Sequence, residues 1–169
     1  LRLLSKLLGI VAMLIGGAML LCLPFALPEL GYRRHLDYSV PPAFERDGAR
    51  ALIESTLISI GVGGILFLVG RGTHGRLFRK EAMAVVGLSW VLATVLGALP
   101  FYFAECHREP DERMSFVDCL FESQSGFSTS GATVLTQIAN KAWVPRSILF
   151  WRSSTHFLGR LRIILLFVA

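Results

Sequence analysis

The chain has 169 residues, of which 53% are hydrophobic and only 17% charged, with a mean hydropathy of +0.58. That balance excludes an ordinary soluble domain. The net charge of +5 does not point to nucleic acid either, because the bases cluster at the ends of apolar runs instead of forming a sustained basic face.

Leu7 to Leu27 carries no charge, and about 20 apolar residues rising 1.5 Å each match a hydrocarbon core of about 30 Å. The run is longer than the roughly 7 to 15 residues of a signal-peptide core, so it predicts a transmembrane helix. Pro28 to Arg50 balances four acids against four bases among several prolines and reads as an aqueous connection. A second apolar run covers Ala51 to Gly70, charged only at Glu54, with Gly61, Gly63 and Gly64 offering close helix packing. The linker RGTHGRLFRK, residues 71 to 80, holds Arg71, Arg76, Arg79 and Lys80 and no acid. The positive-inside rule places it in the cytoplasm together with Arg2, Lys6 and the N-terminus. Anionic lipid or a cytosolic regulator could meet this linker, although topology alone accounts for it.

A third run, Ala82 to Ala104, is uncharged and returns to the outer side. There, in ECHREPDERMSFVD, Glu105, Glu109, Asp111, Glu112 and Asp118 outnumber Arg108 and Arg113, an acidic mouth suited to concentrating cations. Val144 to Ala169 is apolar apart from Arg146, Arg152, Arg160 and Arg162 and predicts a fourth, imperfect membrane helix. Cys22, Cys106 and Cys119 fit neither a disulfide framework nor a C-x-x-C site and read as small packing residues. A first residue other than methionine and a last residue inside an apolar run point to a fragment or a truncated gene model, or, for the start alone, to a non-AUG initiation codon.

The stretch between the third and fourth runs carries the chemistry. Ser115 and Asp118 approach a capping-box pattern, Phe116, Val117, Leu120 and Phe121 keep helical spacing, and Gly126 marks a stop. A helix of about ten residues rises only about 15 Å, so it enters a bilayer without crossing it. Non-helical backbone at that depth must line a water-filled cavity or be buried in protein. Ser128, Thr129, Ser130 and Thr133 offer neutral hydroxyl oxygens, Gly131 allows a carbonyl to turn inward, and Ala132 adds no bulk. A dehydrated potassium ion is held by such neutral oxygens, chiefly backbone carbonyls, and the C-terminal end of the short helix favours a cation at the same place.

Glu122 is placed either to accept N–H bonds from the loop or simply to sit among shielding polar groups. Arg152 and His156, one turn apart on the last helix, either brace the pore or make an ordinary interhelical contact. A hydrolase using Ser128 or Ser130 with His156 would need glycine at 128 or 130 to complete a G-x-S-G or G-x-S-x-G pattern, and the chain has neither. No enzyme is predicted.

FESQSGFSTSGATVL at 121–135 and VPRSILFWRSSTHFLG at 144–159, followed by RLRI, resemble the bacterial TrkH, TrkG and KtrB potassium transporter subunits. Their first pore segment reads like FES-SG-TTTGATVL and continues into LP-SIL-WR----LGGMGI. The resemblance implies an all-α integral membrane protein with two leading transmembrane helices in 1–80 and one helix–pore loop–helix unit of a potassium-channel-like fold in 81–169. Within that unit it implies a first helix near 82–104, a pore helix near 116–125, a filter at 128–133 and a second helix over 144–169. It puts Ser128, Thr129, Ser130, Gly131 and Ala132 in the selectivity filter, adjoined by Thr133. Potassium would sit on the carbonyls of Thr129, Ser130 and Gly131, with Glu122 and Arg152 as supports.

The resemblance further implies potassium as the transported ion with no covalently bound cofactor, and a multi-pass protein of the bacterial inner membrane in contact with lipid. Four pore units surround one pathway in the family, the complete protein is a homodimer, and a cytosolic nucleotide-binding ring of the TrkA or KtrA kind gates it. Serine replaces the family's threonine at 128 and 130, which keeps the hydroxyl. Only one pore unit is present, a quarter of a filter. Where the family has GGMG, the chain has Gly159, Arg160, Leu161 and Arg162, with Arg160 about 24 Å in from Val144 and within snorkelling reach of the cytoplasmic interface. A non-conducting, degenerate paralogue is the alternative reading.

Overall fold

The computed structural model describes residues 2–26, 42–72, 79–109, 112–135 and 144–168. Five helices make up almost all of it: α1 Arg2–Leu20, α2 Pro42–Val69, α3 Arg79–Phe103, α4 Phe116–Ser128 and α5 Arg146–Val168. A single turn of 3-10 helix, Leu23–Ala26, follows α1, and a two-stranded hairpin, β1 His107–Glu109 and β2 Glu112–Arg113, joins α3 to α4. The predicted aqueous connection over residues 27–41 and the centre of the basic linker, 73–78, lie outside the described residues.

Among the described residues, three segments are long and apolar enough to cross a membrane: Arg2–Ala26, Arg46–Val69 and Lys80–Phe103. Leu14, Leu57, Ile65, Leu68, Met83 and Val91 turn outward from them, each more than 60% exposed. Water would penalise such a surface, whereas lipid tails solvate it. The molecule is an all-α membrane protein. α5 is of similar length, but its four arginines keep it out of the strongly apolar group.

α2 begins earlier than its apolar run, at Pro42, where a missing N–H costs nothing in a first helical turn. Its outer turns are polar and are laced by an ion pair one turn apart, Arg50 to Glu54 at 2.7 Å. α1 and α2 touch through their backbones: a Cβ on Gly9 would lie 2.6 Å from the carbonyl oxygen of Gly63. Of the three glycines read as packing positions in α2, only Gly63 is used, since Gly61 and Gly64 face open space.

Both leading helices pack on α3, and α4 is wedged between α3 and α5. The shared core is built from Ala12, Ile15, Met19, Leu52, Leu96, Phe101, Ile148 and Trp151. The three cysteines are free and buried within it. The hairpin between α3 and α4 alters the reading of the acidic segment. Glu105 pairs with Arg113 at 2.6 Å and Glu112 lies 3.9 Å from Arg108, so these two acids are partly neutralised by bases of the same loop. Asp118 is engaged at a helix start.

Candidate functional site

α4 starts at a full capping box. Ser115 Oγ accepts the Asp118 N–H at 3.2 Å, and the Asp118 carboxylate accepts the Ser115 N–H at 2.9 Å. The Ser115 hydroxyl donates to the same carboxylate at 2.7 Å and, together with the Ser115 N–H, holds the Asp118 carboxyl below the usual carboxylate range. From there α4 runs 13 residues, about 20 Å, which is well short of a bilayer crossing.

The helix passes the glycine expected to stop it. Gly126 is buried, and a Cβ there would overlap Thr155 of α5, so its use is the close approach of two helices. Thr129 ends the helix instead, in the left-handed conformation at φ 57° and ψ 22°. Its N–H bonds the Gly126 carbonyl at 3.0 Å, and the Ser130 N–H bonds the Ser125 carbonyl at 3.2 Å. A left-handed non-glycine residue costs roughly 1–2 kcal/mol, held here by the closed helix end. Ser128, expected in the loop, is therefore the last helical residue.

Beyond Thr129 the chain turns again at Gly131, φ 75°, and residues 130–133 are exposed. The Ser125 hydroxyl donates to the Ala132 carbonyl at 2.5 Å and lies 3.1 Å from Ser130 Oγ. Among the described residues, the carbonyls of Thr129, Ser130 and Gly131 accept no hydrogen bond. Three unpaired acceptors thus follow one another on an exposed loop at the partially negative end of a helix.

Behind this loop lies a carboxylate. Glu122 is 1% exposed. It accepts the Thr133 hydroxyl through Oε1 and the Val134 N–H at 2.7 Å through the same oxygen. Its Oε2 accepts Arg152 Nε from α5 at 2.8 Å. The Thr133 hydroxyl in turn accepts the Leu135 N–H at 3.1 Å. One buried anion therefore ties the outgoing limb of the loop to α4 and α5. His156, one turn from Arg152, makes no hydrogen bond among the described residues.

α5 is fixed against this assembly by small residues and one long one. Trp151 Nε1 donates to the Gly97 carbonyl of α3 at 3.0 Å. Thr155 lies on Gly126, and Gly159 sits against the Phe127 carbonyl, where a Cβ would collide with backbone. Sequence pattern alone assigns no role to Ser125 or Thr155 and no contact to Gly159. The available signal was the small-x-x-x-small spacing of Thr155 and Gly159, which in membranes marks a tight helix contact. The structure thus gathers Glu122, Thr133 and Arg152 around one carboxylate and Ser125, Ser130 and Ala132 around one hydroxyl.

A family model described as a cation transport protein, TrkH, matches residues 53–169. The chain is 32% identical over 169 residues to the Trk system potassium uptake protein TrkH of Salmonella typhimurium, covering 99% of this chain and 30% of that protein. It is 35% identical over 125 residues to TrkH of Escherichia coli, covering 73% of this chain and 24% of that protein. Against the Escherichia coli potassium uptake protein TrkG it is 30% identical over 108 residues, with 64% and 21% covered. The chain therefore spans less than a third of the length of these relatives. No solved structure matches. Matched over more than half its length by the family model, and 32% identical over 99% of its length to a TrkH protein, the chain belongs to the TrkH family of cation transport proteins.

Proposed function

We propose that this chain contributes one of four filter segments to a Trk-type potassium uptake protein of the bacterial plasma membrane. The observation that carries the reading is the loop of residues 129–131 at the end of a half-length helix, where Thr129 is half-buried, Ser130 and Gly131 are exposed, and the three carbonyls accept no hydrogen bond among the described residues. Such oxygens replace the hydration shell of potassium without binding it too firmly to leave. Residues 128–133 form the filter, and the carbonyls of Thr129, Ser130 and Gly131 carry the ion. Glu122 and Arg152 hold the outgoing limb so that the ring does not collapse when an ion departs.

Transport through this segment involves no covalent step. α1 and α2 are the leading helices, α3, α4 and α5 form the pore unit, and the N-terminus is cytoplasmic, in keeping with the basic residues at 71 to 80. Further pore units complete the ring, the whole protein pairs as a homodimer, and a cytosolic nucleotide-binding ring regulates it. The names of the relatives, Trk system potassium uptake proteins, support potassium as the cargo.

The test is potassium-limited growth of cells lacking their own uptake systems, with the full-length protein that contains this chain. Growth should be rescued, and Gly131→Asp should abolish the rescue while leaving protein in the membrane. At φ 75° an aspartate is strained, and it adds an anion to a ring of neutral oxygens. Rescue unchanged by this substitution would overturn the assignment. Membrane insertion without rescue by the unsubstituted protein would favour the degenerate, non-conducting paralogue.

A further inference from the structure

Arg160 stands where the sequence pattern of related chains has glycine, and the structure gives it a definite position. Its neighbour Gly159 packs on the carbonyl of Phe127, two residues before Thr129, so Arg160 lies level with the inner end of the carbonyl loop. Trp151, nine residues earlier, points to α3 through its bond to Gly97. Nine residues at about 100° each amount to about two and a half turns, a net offset of about half a turn, so Arg160 projects from the opposite side of α5, away from α3 and the leading helices behind it. It is exposed, and it forms no ion pair among the described residues. Glu122, the buried acid of α4, is taken by Arg152. An intramembrane arginine without a partner faces a water-filled cavity in preference to lipid.

We propose that Arg160 sets a fixed positive charge at the inner mouth of the filter and makes cation flow easier inward than outward. The inference rests on the filter reading given above. Cations arriving from outside meet the free carbonyls before the guanidinium, whereas cations arriving from inside must first enter its repulsive field. A unit charge about 7 Å away in water lowers the local cation concentration about threefold, and low-dielectric walls enlarge the effect.

The experiment is bilayer recording of the full-length protein in symmetric potassium chloride at about 0.01 M and about 1 M, where the Debye length falls from about 30 Å to about 3 Å. Arg160→Gln should raise the ratio of outward to inward current about threefold at low salt and change it little at high salt. Arg160→Lys, which keeps the charge, should retain the original ratio. An unchanged ratio in Arg160→Gln, a change that ignores salt, or Arg160→Lys behaving like Arg160→Gln would each overturn the inference and leave the filter reading standing. An unsubstituted protein that inserts and passes no potassium current would overturn both.

Discussion

The strongest prediction concerns the pairing of Glu122 with Arg152. Side-chain exposures of 0% and 15% leave little water to replace either partner, and the N–O distance of 2.8 Å is that of a charge-assisted hydrogen bond. Removing one member of such a pair costs about 3–5 kcal/mol, because the other charge stays buried and alone. Glu122→Gln keeps an oxygen for Val134 and Thr133, but its amide then opposes Arg152 donor to donor, so most of that cost should remain. Arg152→Gln should cost less, about 1.5–3 kcal/mol, since the carboxylate retains both loop donors. In the double variant two neutral amides can bond each other, and the losses should fall short of additive by at least about 1 kcal/mol. Thermal unfolding of the purified full-length protein reads the cycle, and competition of sodium against potassium uptake reads the filter. Discrimination should weaken in each single variant. Losses that add to within about 0.5 kcal/mol, with selectivity unchanged, would refute the claim that this pair holds the loop.

Other consequences are local. Gly126→Ala and Gly159→Ala should each destabilise by about 1–3 kcal/mol through overpacking. Removal of the Thr155 hydroxyl, as Thr155→Ala, should recover part of the first loss and none of the second, because the obstacle at Gly159 is the Phe127 backbone; equal recovery in both would contradict the packing described. Asp118→Asn should lower the melting temperature at neutral pH, by a capping contribution of about 0.5–1 kcal/mol. The folded carboxyl is depressed, so its stabilisation is present above the unfolded value of about 3.9 and is lost as pH falls through the folded one. The two proteins should therefore converge in acid, and a constant difference across pH would count against the cap. Burial also pushes the Cys106 thiol up, so a maleimide at pH 8 should leave Cys106 unlabelled until the protein is unfolded, as mass spectrometry of its peptide would report.

The fold class was legible because it rests on run lengths and charge placement, which bilayer thickness constrains directly. The cap of α4 was legible too, because Ser115 and Asp118 act on backbone only three residues away. What failed depended on contacts across the sequence. Gly126 has the form of a helix stop, yet α5 uses its missing side chain for close approach, and Thr129 takes the left-handed position instead. Gly61, Gly63 and Gly64 are indistinguishable in a list of small residues, and the facing Gly9 selects one of them. The acids after α3 were weighed only by number against Arg108 and Arg113, because which of them pair arises only when the hairpin closes.

Glu122 shows why two competing readings of a buried charge need not exclude each other. Its bond to Arg152 is an interhelical contact between α4 and α5, and the same carboxylate holds Thr133 and the Val134 N–H of the loop. A carboxylate alone at this depth would be costly, and its arginine offsets that cost while leaving one oxygen for the loop. Arg160 reverses the balance, with the same side-chain type two turns further along α5 and no acid to meet it among the described residues. An unpaired guanidinium at a helix centre costs roughly 2.5–3.5 kcal/mol on insertion scales, and water in a cavity relieves it. The two arginines are therefore distinguished by what faces them among the described residues, one bonded to the carboxylate that holds the loop and the other meeting no acid.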